Sequence, residues 1–192
     1  MNKLIVITGP MFSGKSEELM RLINRAKYAN RIILAIKPSE DTRQQSIRVR
    51  KINEHGESET VYEYPAYGIN DPDAFQALII TKQPNELFID EAQFFKPWIV
   101  AEIKKLLLDR SHPMNIYISG LDQTAWNETF GSMGDLMALA NEVKKLTAIC
   151  FKCNKEANLT FKEFAGSNKV DPGDAEKYKA HCSDCWHPPQ EA

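Results

Sequence analysis

Three clusters of residues in this 192-residue chain have the types and spacing to do chemistry, and each implies a different kind. The first, Gly9-Pro10-Met11-Phe12-Ser13-Gly14-Lys15-Ser16, completes the pattern G-x-x-x-x-G-K-[ST]. Gly9 and Gly14 permit a backbone that turns consecutive N–H groups toward one centre, where they and a helix N-terminus hold phosphate oxygens. Lys15 is placed to reach β- and γ-phosphates, and the Ser16 hydroxyl suits Mg²⁺. A tight glycine turn could fit the same pattern without function. The flanks favour a phosphate loop: Leu4-Ile5-Val6-Ile7 before it has the character of a buried strand, and Leu19, Leu22, Ile23 and Ala26 after it recur at helical spacing. The stretch Gly9 to Ser16 is therefore expected to hold a nucleoside triphosphate.

The second cluster closes the apolar run Glu86-Leu87-Phe88-Ile89 with Asp90-Glu91. An Asp after a buried strand can bind Mg²⁺ through water, and the Glu beside it is placed to take a proton from an attacking nucleophile. The alternative is an acidic helix start that only complements the helix dipole. Pairing with a complete glycine loop favours the catalytic use. Arg43 is a third charge of interest, either a solvated surface residue or, because it follows a strand's C-terminal end, part of the ligand crevice.

The last cluster is Cys150-Phe151-Lys152-Cys153 and Cys182-Ser183-Asp184-Cys185. Two C-x₂-C turns supply the tetrahedral Cys₄ set preferred by Zn²⁺, and four protein thiolates leave no open position, so the metal is expected to be structural. Buried free thiols or a redox dithiol are the competing uses. The interval from Cys153 to Cys182 exceeds usual ribbon spacing and implies an extended loop clamped at its base.

Elements must position these groups. With 43% hydrophobic residues the chain can bury a real core, while a net charge of −2 gives no overall positive field for nucleic acid. No apolar run approaches the ~20 residues of a membrane helix, and Met1-Asn2-Lys3 leads straight into a strand, so a cytoplasmic protein without a membrane segment is expected. Residues Arg31 to Lys37 form a second strand, which completes a right-handed βαβ unit with the first. From Pro38 to about Gly68 the chain is polar, with short β-like pieces, and is expected to be a mobile excursion. Helices follow at Asp73–Lys82, Trp98–Leu108 and Met133–Ala140, with strands at Met114–Ser119 and Val143–Cys150. The order predicts an α/β fold: a P-loop NTPase-like, mostly parallel sheet with helices on both faces. It spans 1–149, and 150–192 forms a small C-terminal zinc-binding lasso domain.

With Asp41-Thr42-Arg43, Asp90-Glu91-Ala92-Gln93-Phe94-Phe95, Gly120-Leu121-Asp122, Phe130-Gly131, Lys145-Leu146-Thr147-Ala148-Ile149-Cys150 and both cysteine pairs added to the glycine loop, nearly the whole chain resembles the cytosolic-type thymidine kinase family. These are zinc-containing P-loop nucleoside kinases with a lasso over the nucleoside. The resemblance implies transfer of the ATP γ-phosphate to the 5′-hydroxyl of thymidine or deoxyuridine, with Mg-ATP as co-substrate and Zn²⁺ as structural metal. It also implies Glu91 as general base, Asp90 supporting Mg²⁺, and Lys15 and Arg43 at the transferring phosphate. Met11, Phe94, Leu121, Phe130, Thr160 and Tyr178 would surround the nucleoside. A homotetramer and feedback inhibition by thymidine triphosphate are further implications.

Some positions depart from the family pattern. Ala125-Trp126 replaces a phenylalanine soon after Gly-Leu-Asp, Lys162 stands for an Arg, and the lasso tip is Pro172-Gly173-Asp174. Trp126 either supplies the missing aromatic face or is a packing residue. These departures bear on base selectivity more than on reaction type. An ATPase acting on nucleic acid and a non-catalytic nucleotide-binding protein are the competing classes; the charge balance weighs against the first and the Asp90-Glu91 pair against the second.

Overall fold

The computed structural model describes residues 2–39, 46–52, 58–164 and 177–190. Its organising element is a sheet of strands alternating in side-chain direction, buried on both faces, which is why they read as continuous apolar runs. Its strands in chain order are β1 (Lys3–Thr8), β2 (Ile33–Pro38), then, after a separate antiparallel pair β3 (Ser46–Ile52) and β4 (Ser58–Pro65), β5 (Tyr67–Ile69), β6 (Glu86–Ile89), β7 (Asn115–Gly120) and β8 (Glu142–Lys145). Helices α1 (Lys15–Tyr28), α2 (Pro72–Lys82), α3 (Trp98–Leu108) and α4 (Met133–Leu139) lie between them.

The central sheet has six strands in the order β5-β2-β6-β7-β1-β8, and every pairing in it is parallel. One face carries Leu4, Val6, Leu34, Ile36, Leu87, Ile89, Ile116 and Ile118 against Phe75 of α2, Ile99 and Ile103 of α3, and Met133 and Leu136 of α4. The other carries Ile5, Ile7, Ala35 and Phe88 against Leu19, Met20, Ile23 and Ala26 of α1. Helices thus cover both faces, as expected. A fully buried Leu or Ile contributes about 1.5–3 kcal/mol, so both layers matter to stability.

Local signals set the helix ends. Asp71 caps α2 by accepting from the Ala74 N–H at 2.8 Å, and Pro72 occupies its first turn. Helix α1 begins at Gly14 in the left-handed conformation, with Glu17 and Glu18 in its first turn and Arg25 and Lys27 in its last, the order the helix dipole favours.

Two expectations need correction. The excursion after Pro38 contains the β3–β4 hairpin, not just short β-like pieces. Ile47 and Val49 alternate inward and are buried beneath α1, so the polar composition belongs to its outer face. The stretch Val143–Cys150 is not one strand. It divides into β8, which pairs with β1, and β9 (Ala148–Ile149), which pairs with β10 (Glu156–Ala157) outside the main sheet. The chain leaves the sheet at Leu146, whose N–H bonds Thr8 O at 2.7 Å. Beyond it, β11 (Leu159–Lys162) and β12 (Tyr178–His181) form a second small antiparallel pair. Asp41, Thr42, Arg43 and the tip Pro172-Gly173-Asp174 lie outside the described residues.

Candidate active site

Parallel strands deliver their C-terminal ends to one edge, where an open α/β sheet binds ligands. In this sheet β6, β7 and β1 are neighbours, with Ile89 opposite Ile118 and Thr8 opposite Gly120. The three exits therefore bring together the glycine loop, Asp90-Glu91 and Leu121-Asp122. Thr8 Oγ1 donates to Gly120 O at 2.9 Å and ties two of these exits.

The loop from Gly9 to Ser16 connects β1 to α1 as the motif requires. Gly9 has φ +146° and is pressed against the Leu146 carbonyl, so any side chain there would collide with backbone. Ser13 Oγ donates to Pro10 O at 2.8 Å, and Lys15 Nζ donates to the same carbonyl at 2.7 Å. Burial pushes the Lys15 ammonium below its ordinary value, while Glu91, Asp90 and Asp122 pull it back up. A cation held among carboxylates at a helix N-terminus is equipped to meet phosphate.

Asp90 is 7% exposed. Burial first, and then the neighbouring Glu91 charge, push its carboxyl up to about 7, against the Ser119 hydroxyl, the Glu91 N–H and Lys37, which work the other way. A buried carboxyl so destabilised as an anion is suited to a cation partner. Glu91 has φ +53° and starts the 3₁₀ turn Ala92–Phe94, yet its side chain makes no capping bond there. The acid pair thus precedes a single 3₁₀ turn, not an α-helix. The carboxylate instead accepts from Gln93 Nε2 at 2.5 Å.

The residues expected around a nucleoside converge on the same edge. Phe94 and Phe130 meet edge to face with centroids 5.5 Å apart. The Met11 N–H donates to Thr160 Oγ1 at 3.2 Å, which ties the glycine loop directly to β11. Thr160 is opposite Ala180, and Lys162 opposite Tyr178, in the β11–β12 pair. The Lys162 ammonium stands over both the Trp126 ring (5.9 Å) and the Tyr178 ring (5.6 Å). Ala125 is buried and Trp126 half-buried, so at this site the tryptophan already serves as one wall for a cation.

The sulfurs of Cys150, Cys153, Cys182 and Cys185 all lie within 4.8 Å of one another. A tetrahedral Zn²⁺ with Zn–S near 2.3 Å needs sulfurs roughly 3.8 Å apart, so the set fits that ion. Tight turns aim them: Asn154 N bonds Cys150 O at 2.9 Å, and Trp186 N bonds Cys182 O at 3.0 Å.

A family model described as thymidine kinase matches residues 2–186. The chain belongs to the thymidine kinase family. Curated thymidine kinases of Coprothermobacter proteolyticus, Porphyromonas gingivalis and Metamycoplasma arthritidis are 38%, 33% and 36% identical to it. The alignments cover 94%, 96% and 94% of this chain and 88%, 87% and 88% of those proteins.

For a thymidine kinase family member, ATP and a metal are implied, and the cysteine cluster is compatible with zinc. Of the residues expected in the site, the structure gathers the loop, Lys15, Asp90, Glu91, Leu121, Phe94, Phe130, Thr160 and Tyr178 around one sheet edge; Arg43 lies outside the described residues. The sequence places Gln93 in the motif that follows β6 but gives it no role; its bond to the Leu121 N–H crosses from one strand exit to the next. The ion pair of Lys145 Nζ with Asp122 at 2.7 Å was also missed. Nothing in the spacing of those two residues reveals it.

Proposed function

We propose that this protein is an ATP-dependent thymidine kinase, which transfers the γ-phosphate of ATP to the 5′-hydroxyl of thymidine or deoxyuridine to give the 5′-monophosphate and ADP, in deoxynucleoside salvage. The observation that carries the reading is the bond from Met11 N–H to Thr160 Oγ1, because it puts a phosphate-binding loop and the threonine of the lasso hairpin on one boundary. Donor and acceptor can then meet across that boundary. The names of the curated relatives support the same reaction.

In the proposed mechanism the loop amides from Gly9 to Ser16 and Lys15 hold the triphosphate. Glu91 takes the proton of the nucleoside hydroxyl. Lys15 and Arg43 supply positive charge for the transferring group, and alignment does most of the work, as phosphoryl transfer requires. Ser16 and Asp90 would hold Mg²⁺, which when bound would supply further charge neutralisation on the phosphate oxygens. Met11, Phe94, Leu121, Phe130, Thr160 and Tyr178 bound the nucleoside site and exclude water, which protects ATP from hydrolysis.

The reading extends to a kinase unit over 1–149 and a zinc-bearing lasso over 150–192, a homotetramer, feedback inhibition by thymidine triphosphate, and a cytoplasmic location. Among the described residues, no helix is long and apolar enough to cross a membrane. ADP release measured with thymidine, deoxyuridine, deoxycytidine or DNA tests the reaction. Dependence on thymidine is expected, and stimulation by DNA alone would point to a motor instead. Glu91→Gln is expected to retain Mg-ATP binding and lose at least ~100-fold in kcat. Near-normal turnover would remove Glu91 from its role.

A further inference from the structure

Glu91 occupies the left-handed region at φ +53°, uncommon for a non-glycine residue. What holds the carboxylate is Gln93, two residues on and 3% exposed. Its Nε2 donates to Glu91 Oε2 at 2.5 Å, and its Oε1 accepts from the Leu121 N–H at 3.0 Å. The amide polarity is not arbitrary. A backbone N–H can only donate, so the amide oxygen must face Leu121 and the amino group must face Glu91. The side chain is thereby a strut between the exits of β6 and β7.

The surroundings are shaped to this strut. A Cβ added at Gly120 would lie 2.6 Å from Gln93 Oε1 and 2.8 Å from Met133 Sδ. Gly131, at φ +53°, sits directly against the Gln93 carbonyl, where a side chain would overlap backbone. Both glycines thus leave the space that Gln93 fills. Among the described residues the Glu91 carboxylate has no other hydrogen-bond partner, which leaves its second oxygen for a proton.

We propose that Gln93 is the positioning residue of the phosphoryl-transfer site: its amide, fixed by the Leu121 N–H, orients the Glu91 carboxylate toward the acceptor hydroxyl. This rests on the reading of Glu91 as proton acceptor. The effect belongs to kcat, since a misplaced base costs alignment in the reaction and not binding of either substrate. Because Leu121 also borders the nucleoside site in that reading, the strut registers the base against a wall of the acceptor pocket.

The experiment compares wild type, Gln93→Met, Gln93→Glu, Glu91→Gln and the double variant Gln93→Met/Glu91→Gln. Each is measured for kcat, KM for thymidine and for ATP, Mg-ATP affinity and thermal midpoint. Methionine keeps the volume and loses both bonds; glutamate keeps an acceptor for Leu121 and loses the donor. Gln93→Met is expected to lose about 10- to 100-fold in kcat, the scale of a small misplacement, with both KM values within about 3-fold of wild type. Gln93→Glu, which sets a second buried carboxylate against Glu91, is expected to lose kcat at least as far as Gln93→Met and to lower the thermal midpoint as well. The double variant is expected to be no slower than Glu91→Gln alone, because the second change acts through a group already removed. Wild-type kcat in Gln93→Met, kcat restored together with stability in Gln93→Glu, or multiplicative losses in the double variant would each overturn the proposal. Should Gln93→Met fail to fold, Gln93→Glu carries the same decision. An inactive Glu91→Gln beside an active Gln93 variant sinks only the strut, whereas an active Glu91→Gln sinks the proton-acceptor reading and the strut with it.

Discussion

A single hydroxyl joins the two halves of the proposed reaction. Thr160 is buried and accepts the Met11 N–H, so Thr160→Val keeps the shape but leaves that donor without its acceptor. One neutral hydrogen bond is worth about 0.5–1.5 kcal/mol, and the thymidine KM is expected to rise roughly 2- to 10-fold, with Thr160→Ser restoring it. An unchanged KM in steady-state assays would show that the contact does not shape the acceptor site. Trp126 gives a second prediction at this scale. Its ring lies against the Lys162 ammonium, so Trp126→Ala is expected to alter the ratio of kcat/KM for thymidine to that for deoxycytidine. Equal ratios would assign Trp126 to packing alone. The glycine loop, the acid pair and the cysteines were legible in the sequence because their chemistry forces fixed spacings. Gln93 and Lys145 were not, because each finds its partner through the adjacency of β6, β7, β1 and β8, and no spacing along one segment encodes which strands become neighbours.

Elements are joined at the surface by charges that the sequence shows only as scattered letters. Glu18 on α1 accepts from Arg21 at 2.6 Å and from Lys144 of β8 at 3.0 Å, and so links the helix that follows the glycine loop to the edge strand. The Arg21 bond first, and then Lys144, pull the Glu18 carboxyl down to about 2. A carboxyl depressed in the folded state stabilises above its unfolded value of ~4.3, and that contribution is lost as pH falls toward the folded value. Glu18→Gln is accordingly expected to cost on the order of 1 kcal/mol or less near neutral pH, since solvent screens the pair, and the deficit should shrink between pH 4 and pH 2. Urea unfolding at several pH values checks this, and a deficit constant across that window would exclude the ion pair as its source. Helices α2 and α3 fell where their apolar spacing put them. The β3–β4 hairpin did not announce itself, because Ile47 and Val49 are the buried aliphatic residues of its inner face while most of the described side chains of β4 are exposed. The break at Leu146 escaped notice for a related reason: Val143 to Cys150 is uniformly strand-like in composition, and only the competing pairs with β1 and β10 divide it.

On the scale of the molecule, the cysteine region has its own small cluster of Ala148, Cys150, Ala157, Ala180 and Cys182, separate from the two layers that flank the sheet. A metal bound there would stabilise that cluster first, because so little apolar surface is available to it. Chelation is therefore expected to raise the thymidine KM before the main sheet unfolds, as followed by activity and circular dichroism in parallel. Simultaneous loss of both would mean that zinc supports the whole chain. The parallel sheet has a further consequence, concerning time instead of chemistry. Strand β1 pairs only with β7 and β8, so Lys3 finds Asn115 and Ile5 finds Glu142. The strand that leads to the phosphate loop thus leaves the ribosome well before either of its partners. With synthesis at about 5–20 residues per second, Leu4-Ile5-Val6-Ile7 waits several seconds with both edges unpaired. Any nascent chain halted before β8 carries its most apolar strand without one flank, a species for chaperones to hold rather than an enzyme in waiting.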